Sequence, residues 1–580
     1  MAAAIALACS YAASAKPNGA ERRIRGLSDE FVEARLERDP DIAHRFGLPL
    51  SERLQGRLLD RTPESRTRFD SAIDRLAREL GRIDPRRLDR EHRILRAILR
   101  EELIVHSALR VCRREWWDVS HIGGWMADIL DLALIEPGGT KESRAASLER
   151  WSKLSASVDT QIANLETGLA RGYSAPRLVV ERTIAQLDAV IAGPLEASPL
   201  YSPAVRDPDP AFAAKLLALT EGTNLSALSR YRDFLRDFYL PRSRTSLGVN
   251  ALPEGEACYR ALARRYTGLD EPIERTLARV EAANSQGLAD ALEAGAEHYG
   301  TRNPAELLRR AREDPAELYA SSQEMMADAR ETAERARRAF APLFVAIPAQ
   351  GLIVQPYPEG RRGLGLPFRY FASGVPSIPA TTWVPDERFA ATPRAVLRST
   401  ILHEGIAGHH MVGGRMAGRA VHPLRKVAYQ GVFDEGWALY SEGLAREAGM
   451  TPSPAGRVIF GINRAKLTLV DILIHHRGLG QAETADALSG RGGMGQGAGD
   501  RVARIAAFPG QQLSYTVGEL AILDLRSEAE RRLGDRFSLA EFHEAVLRDG
   551  WVPLSFLSET VRAWIAEKER QGGRGGRSSP

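Results

Sequence analysis

The chain has 580 residues, a mass of 63.7 kDa, and 44% hydrophobic against 27% charged residues. That balance supplies a sizeable core and excludes a disordered or collagen-like chain; with no run of about 20 apolar residues, a polytopic membrane protein is excluded too. The 79 basic and 75 acidic residues leave a net charge of only +4, and seven of the 79 are Lys, so charge gives no sign of nucleic-acid binding.

Residues 1–25 read as a flexible or signal-like start. MAAAIALACSYAASA ends in an A-x-A pattern at Ala13 to Ala15, similar to the end of a secretory signal, but no basic residue precedes the apolar run. Leu7-Ala8-Cys9 weakly resembles a lipoprotein cleavage site. Export (periplasmic or lipid-anchored) and a cytoplasmic address both stay open. Cys9, Cys112 and Cys258 have no metal-type spacing and predict no disulfide framework.

From Leu27 to Leu240 apolar residues recur at helical spacing, notably over Leu88–Leu109 and Leu148–Leu169. Gly138-Gly139 and Ser198–Pro210 read as loops. Glu271–Gly300 and Pro304–Phe340 read as long amphipathic helices. Residues 343–386 are rich in Val, Ile, Phe, Tyr and Pro, which predicts short strands with prolines at edges and turns. Helices resume after Thr392-Pro393, a hydroxyl cap followed by Pro at the first helical position. A helix over Gln430–Ala448 stops at Gly449. The Gly-rich stretch 487–500 reads as a mobile loop and lacks the Lys of a phosphate-binding loop. The expected organisation is mainly α: a helical region over 26–340, a region over 341–570 that carries the chemistry and a small β element, and a disordered tail over 571–580, with the two large regions forming one compact unit around a deep cleft.

Seven of the 12 histidines fall between His403 and His543. The segment His403-Glu404-Gly405-Ile406-Ala407-Gly408-His409-His410 begins like the zinc-peptidase signature H-E-x-x-H, in which two His bind zinc and the Glu is the general base. Here the spacing is longer. On an unbroken helix His403 and His410 lie about 10 Å apart, and His409 sits roughly 120° around the axis from His403. A turn at Ala407-Gly408 would swing His409 back, so His409 is the expected second ligand and His410 the alternative.

Asp434-Glu435-Gly436-Trp437-Ala438-Leu439-Tyr440 follows about thirty residues later and resembles the N-E-G-F-A-x-Y segment of zinc aminopeptidases. That resemblance makes Glu435 the third ligand. Glu442 lies on the same face, and Asp434 is a candidate to orient a ligating His. Other stretches extend a likeness to the bacterial family known as domain of unknown function 885, marked by H-E-x-x-P-G-H and E-G-W-A-L-Y. They include Phe508-Pro509-Gly510-Gln511, Ser514-Tyr515-Thr516-Val517-Gly518-Glu519 and Phe542-His543-Glu544. The family's Pro is Ala407 here. The family resembles gluzincin metallopeptidases in site plan and is mostly helical.

What the resemblance implies is a hydrolase of peptide or small amide substrates that uses one Zn2+ held by His403, His409 and Glu435. Glu404 is the expected base, with Tyr515 and His475 (or His476) as candidate donors to the scissile carbonyl. Arg477 and Arg526 are candidates for a substrate carboxylate. Two other readings remain: a metal-dependent deacylase or amidase acting on a non-peptide amide, and a non-catalytic helical binding protein with a structural or vestigial metal site.

Overall fold

The computed structural model describes residues 17–357, 367–372, 377–488 and 498–575. The signal-like start and most of the Gly-rich stretch lie outside them. The molecule is mainly helical, with one small sheet. The helix over Arg90–Leu109 follows the sequence reading: Asp89 accepts the His92 N–H as its cap, and Ile94, Leu95, Ile98, Leu99 and Leu103 are buried along one stripe. Leu148–Leu169 is two helices that meet at Lys153. Pro304–Phe340 is also two, because Asp314-Pro315 ends the first and Ser321 caps the second. The expected loop over Ser198–Pro210 contains the helical turns Pro199–Tyr201 and Ser202–Val205. The last helix runs over Leu554–Gly575, so the predicted tail is helical through its first half.

The strands are β1 (Leu352–Pro356), β2 (Arg369–Phe371) and β3 (Ala380–Val384). Their order is β1-β3-β2; β1 runs parallel to β3, and β2 antiparallel to it with Tyr370 opposite Thr382. Val354 and Val384 pack on Leu397 and Ile401 of the helix Arg394–Glu404. The sheet therefore lies on the helix that carries His403.

The main core crosses residue 340 without a break. Ile24, Leu76 and Leu99 from the first hundred residues share one apolar cluster with Trp437, Leu525 and Trp564. Cys112 and Cys258 form a disulfide, which overturns the reading of three unlinked cysteines. Their 146-residue separation gave no local signal. Among the described residues, no helix is long and apolar enough to cross a membrane.

Candidate metal centre

The helix that begins at Arg394 stops at Glu404, and a new one starts at His409. Two glycines allow the break. A β-carbon on Gly405 would lie 2.2 Å from the Ile401 carbonyl oxygen, and one on Gly408 would lie 1.9 Å from that of His403. Neither has a positive φ, so what excludes a side chain is close approach to the preceding turn. Ala407 is fully buried, and its carbonyl accepts the Trp437 indole N–H at 2.9 Å.

The break brings His409 to His403, with ring centroids 4.8 Å apart. Glu435 arrives from the helix Gly431–Gly443. Its Oε2 lies 3.4 Å from His403 Nε2 and 3.7 Å from His409 Nε2. One ligand atom from each of the three falls within 4.8 Å of the other two. His410 turns the other way: its Nδ1 meets the Tyr370 hydroxyl at 3.1 Å and its Nε2 the Gln350 carbonyl at 3.0 Å.

Each of the two converging imidazoles has a carboxylate on its far nitrogen. Glu442 Oε1 is 2.8 Å from His403 Nδ1, and Asp434 Oδ2 is 3.1 Å from His409 Nδ1. The hydrogen bond to Glu442 can fix the His403 tautomer and aim its Nε2 inward, while Asp434 stands as the ion-pair partner of His409 without an aligned hydrogen bond. Asp434 is itself held by the Tyr429 hydroxyl at 2.6 Å and the Trp551 indole at 2.8 Å. Burial opposes a proton on His409, but Asp434 outweighs it and holds the pKa at about 9. Burial likewise opposes charge on His403, and Glu435 and Glu442 outweigh it and raise that pKa well above the ordinary imidazole value. Burial pushes the Asp434 carboxyl up, and His409 with the Tyr429 and Trp551 donors brings it below the usual range.

These residues can hold a divalent ion of the zinc type. Glu435 Oε2 is buried with no hydrogen-bond donor aligned on it, and it faces two imidazole nitrogens. Donors about 2.0–2.1 Å from a tetrahedral ion stand roughly 3.3 Å apart, close to the spacings here. Two imidazoles also leave Glu404, Asp434, Glu435 and Glu442 in charge excess, which a cation would relieve.

Glu404 ends the first helix next to His403, and its Oε2 accepts the Tyr370 N–H at 2.7 Å. The Tyr515 ring stacks on His403 with centroids 6.4 Å apart. Burial raises the Tyr515 hydroxyl pKa, and the neighbouring Glu435 raises it further. All five side chains line an open cavity of about 1470 Å³.

His475 does not reach this cavity. It is fully buried between the Val249 N–H at 3.3 Å and the Ile505 carbonyl at 3.0 Å, and burial holds its pKa down to about 3. It is a packed core histidine, since its helix turns that face to the Val249 and Ile505 backbone. His476 pairs with Glu274 at 3.1 Å, and Arg526 with Glu447 and Glu530, each at 2.8 Å. His422 is buried against Asp29 at 2.9 Å. Sequence reasoning missed Tyr370, Tyr429 and Trp551. Only Tyr429, five residues before Asp434, gave a local hint.

Two solved structures share the fold. One is described as "the putative lipoprotein from Colwellia psychrerythraea"; it is 21% identical, has a TM-score of 0.83, and aligns over 94% of this chain and 99% of its own. The other is "a putative lipoprotein of unknown function from Shewanella oneidensis", 15% identical with a TM-score of 0.72, over 92% of this chain and 99% of its own. At these identities the likeness is one of fold. Among curated proteins, no match to the sequence is found. The sequence profile "Bacterial protein of unknown function (DUF885)" matches residues 40–561, most of the chain, and the chain belongs to that family.

Proposed function

We propose that this chain is a zinc-dependent hydrolase of peptide bonds, with a site plan like that of the gluzincins. The observation that carries the reading is the convergence of His403 Nε2, His409 Nε2 and Glu435 Oε2 on one point beside Glu404, inside a cavity large enough for a short peptide. A zinc ion held by those three atoms supplies Lewis acidity, which acidifies a water and polarises an amide carbonyl.

The chain's own residues do the rest. The Tyr370 N–H fixes one oxygen of Glu404. The carboxylate takes a proton from the attacking water as its oxygen bonds to the carbonyl carbon. The same proton passes to the amine nitrogen as the C–N bond breaks, so Glu404 ends as it began. Tyr515 keeps its proton, because burial and Glu435 disfavour the phenolate. It can therefore donate a hydrogen bond to the carbonyl oxygen as charge builds there. Glu442 and Asp434 hold the imidazoles in register throughout.

Metal analysis of the purified protein tests the first half of this reading, and digestion of a peptide library with and without chelator tests the second. About one zinc per chain and chelator-sensitive cleavage are expected. Bound metal with no cleavage of any peptide would instead favour a non-peptide amide substrate or a binding role.

A further inference from the structure

The cavity has a cationic wall that the hydrolytic residues do not use. The helix Ala498–Ala507 buries Val502, Ile505 and Ala506 against Val470 and Ile474. This packing turns Arg501 and Arg504, three residues apart, to the cavity that also holds Tyr515. Three of the other arginines lining the cavity are paired with carboxylates: Arg398 with Asp328 at 3.1 Å, Arg457 with Glu297 at 3.7 Å and Arg464 with Glu519 at 3.2 Å; Arg335, Arg369 and Arg446 are exposed. Arg504 is half-buried, and among the described residues no carboxylate pairs with it. Arg504 and Tyr515 line the same cavity. A half-buried guanidinium with no carboxylate partner among the described residues, lining the same cavity as Glu404, Glu435 and Tyr515, suits an anionic group of the substrate. A planar carboxylate fits its fork of donors.

We propose that Arg504 receives the free C-terminal carboxylate of a short peptide, so that the site removes residues from carboxyl ends. This rests on the hydrolase reading for the bond that is cut, but its test reads binding alone. Glu404→Gln protein, loaded with zinc, is titrated calorimetrically with the tripeptide Ala-Phe-Ala as free acid and as C-terminal amide. The acid is expected to bind about 10- to 100-fold more tightly, the scale of a lost charge-assisted hydrogen bond. Adding Arg504→Gln should erase the difference by weakening the acid only, and Arg504→Lys should restore part of it. Equal binding of acid and amide to the Glu404→Gln protein overturns the proposal. So does an Arg504→Gln variant that weakens both alike. Should Arg504→Gln fail to fold, the acid–amide comparison and the Lys variant decide. A chain that cleaves capped peptides internally would fail this test while remaining a hydrolase. One that prefers the acid yet cleaves nothing would retain the anchor and lose the hydrolase reading.

Discussion

Gly436 and Gly518 meet with no side chain between them: a β-carbon on Gly436 would lie 2.4 Å from the Cα of Gly518. The helices Gly431–Gly443 and Leu513–Leu533 thus touch backbone to backbone. Glu435 precedes one glycine, and Tyr515 stands about one turn before the other. The contact therefore sets the distance from the Glu435 carboxylate to the Tyr515 hydroxyl. Gly436→Ala should cost about 1–3 kcal/mol or more, through overpacking against a backbone that cannot yield. Gly443→Ala in the same helix, where a β-carbon meets nothing within 4 Å, should be neutral or stabilising. Denaturant unfolding of both variants checks this.

The two neighbouring histidines should separate cleanly. His409→Ala should abolish zinc binding at about one equivalent with little change of fold. His410→Ala should leave zinc in place but lower the thermal midpoint, because it removes a buried ring and its contacts with the Gln350 carbonyl and the Tyr370 hydroxyl. Elemental analysis beside thermal unfolding distinguishes these outcomes. Loss of metal in His410→Ala alone would reverse the ligand assignment.

Asp434→Asn and Glu442→Gln should retain the ligands but loosen them, with metal affinity weaker by about 10- to 100-fold in each. Competition with a zinc chelator of known affinity measures it.

Glu404→Gln should bind zinc as the parent does and lose about 10²- to 10⁴-fold in peptide hydrolysis, the usual worth of a positioned base. Single-turnover assays on a cleaved library peptide give the comparison, and full activity would remove Glu404 from the mechanism.

Asp471 offers a pH signature away from the candidate metal site. Burial raises its pKa to about 7, although the Tyr259 hydroxyl at 2.8 Å and the Gly510 N–H at 3.0 Å pull it down. The folded chain therefore holds a proton there that the unfolded chain releases near pH 3.9. Stability from this group is fully present below about pH 4 and is lost as pH rises through 7, with a ceiling of about 4 kcal/mol. Relative to Asp471→Asn, which does not titrate, the parent should lose stability from pH 4 to 7 and stay level above. Urea unfolding of both across that range tests the slope.

The parts of the site legible in the sequence were those written locally. His403, Glu404 and Glu435 stand in two short segments whose residue types and spacing follow from ligand chemistry. Gly408 was visible as a weak point, but the direction of the turn depends on contacts with Ile401 and His403 backbone that only the fold supplies. His475 stands in the sequence as a candidate donor to the scissile carbonyl. Its partners, Val249 and Ile505, are backbone groups with no mark in the sequence. Tyr370 escaped because a strand residue says nothing of the helix end that its N–H will meet. The Pro304–Phe340 stretch was read too long because amphipathic spacing resumes after Pro315 with the same character.

The apolar cluster that joins Ile24 and Leu99 to Trp437 and Leu525 makes the first hundred residues part of the footing of the candidate metal site. A shortened chain starting near residue 340 would bare the flank of the very helix that presents Glu435, and so would be as prone to clump as to react.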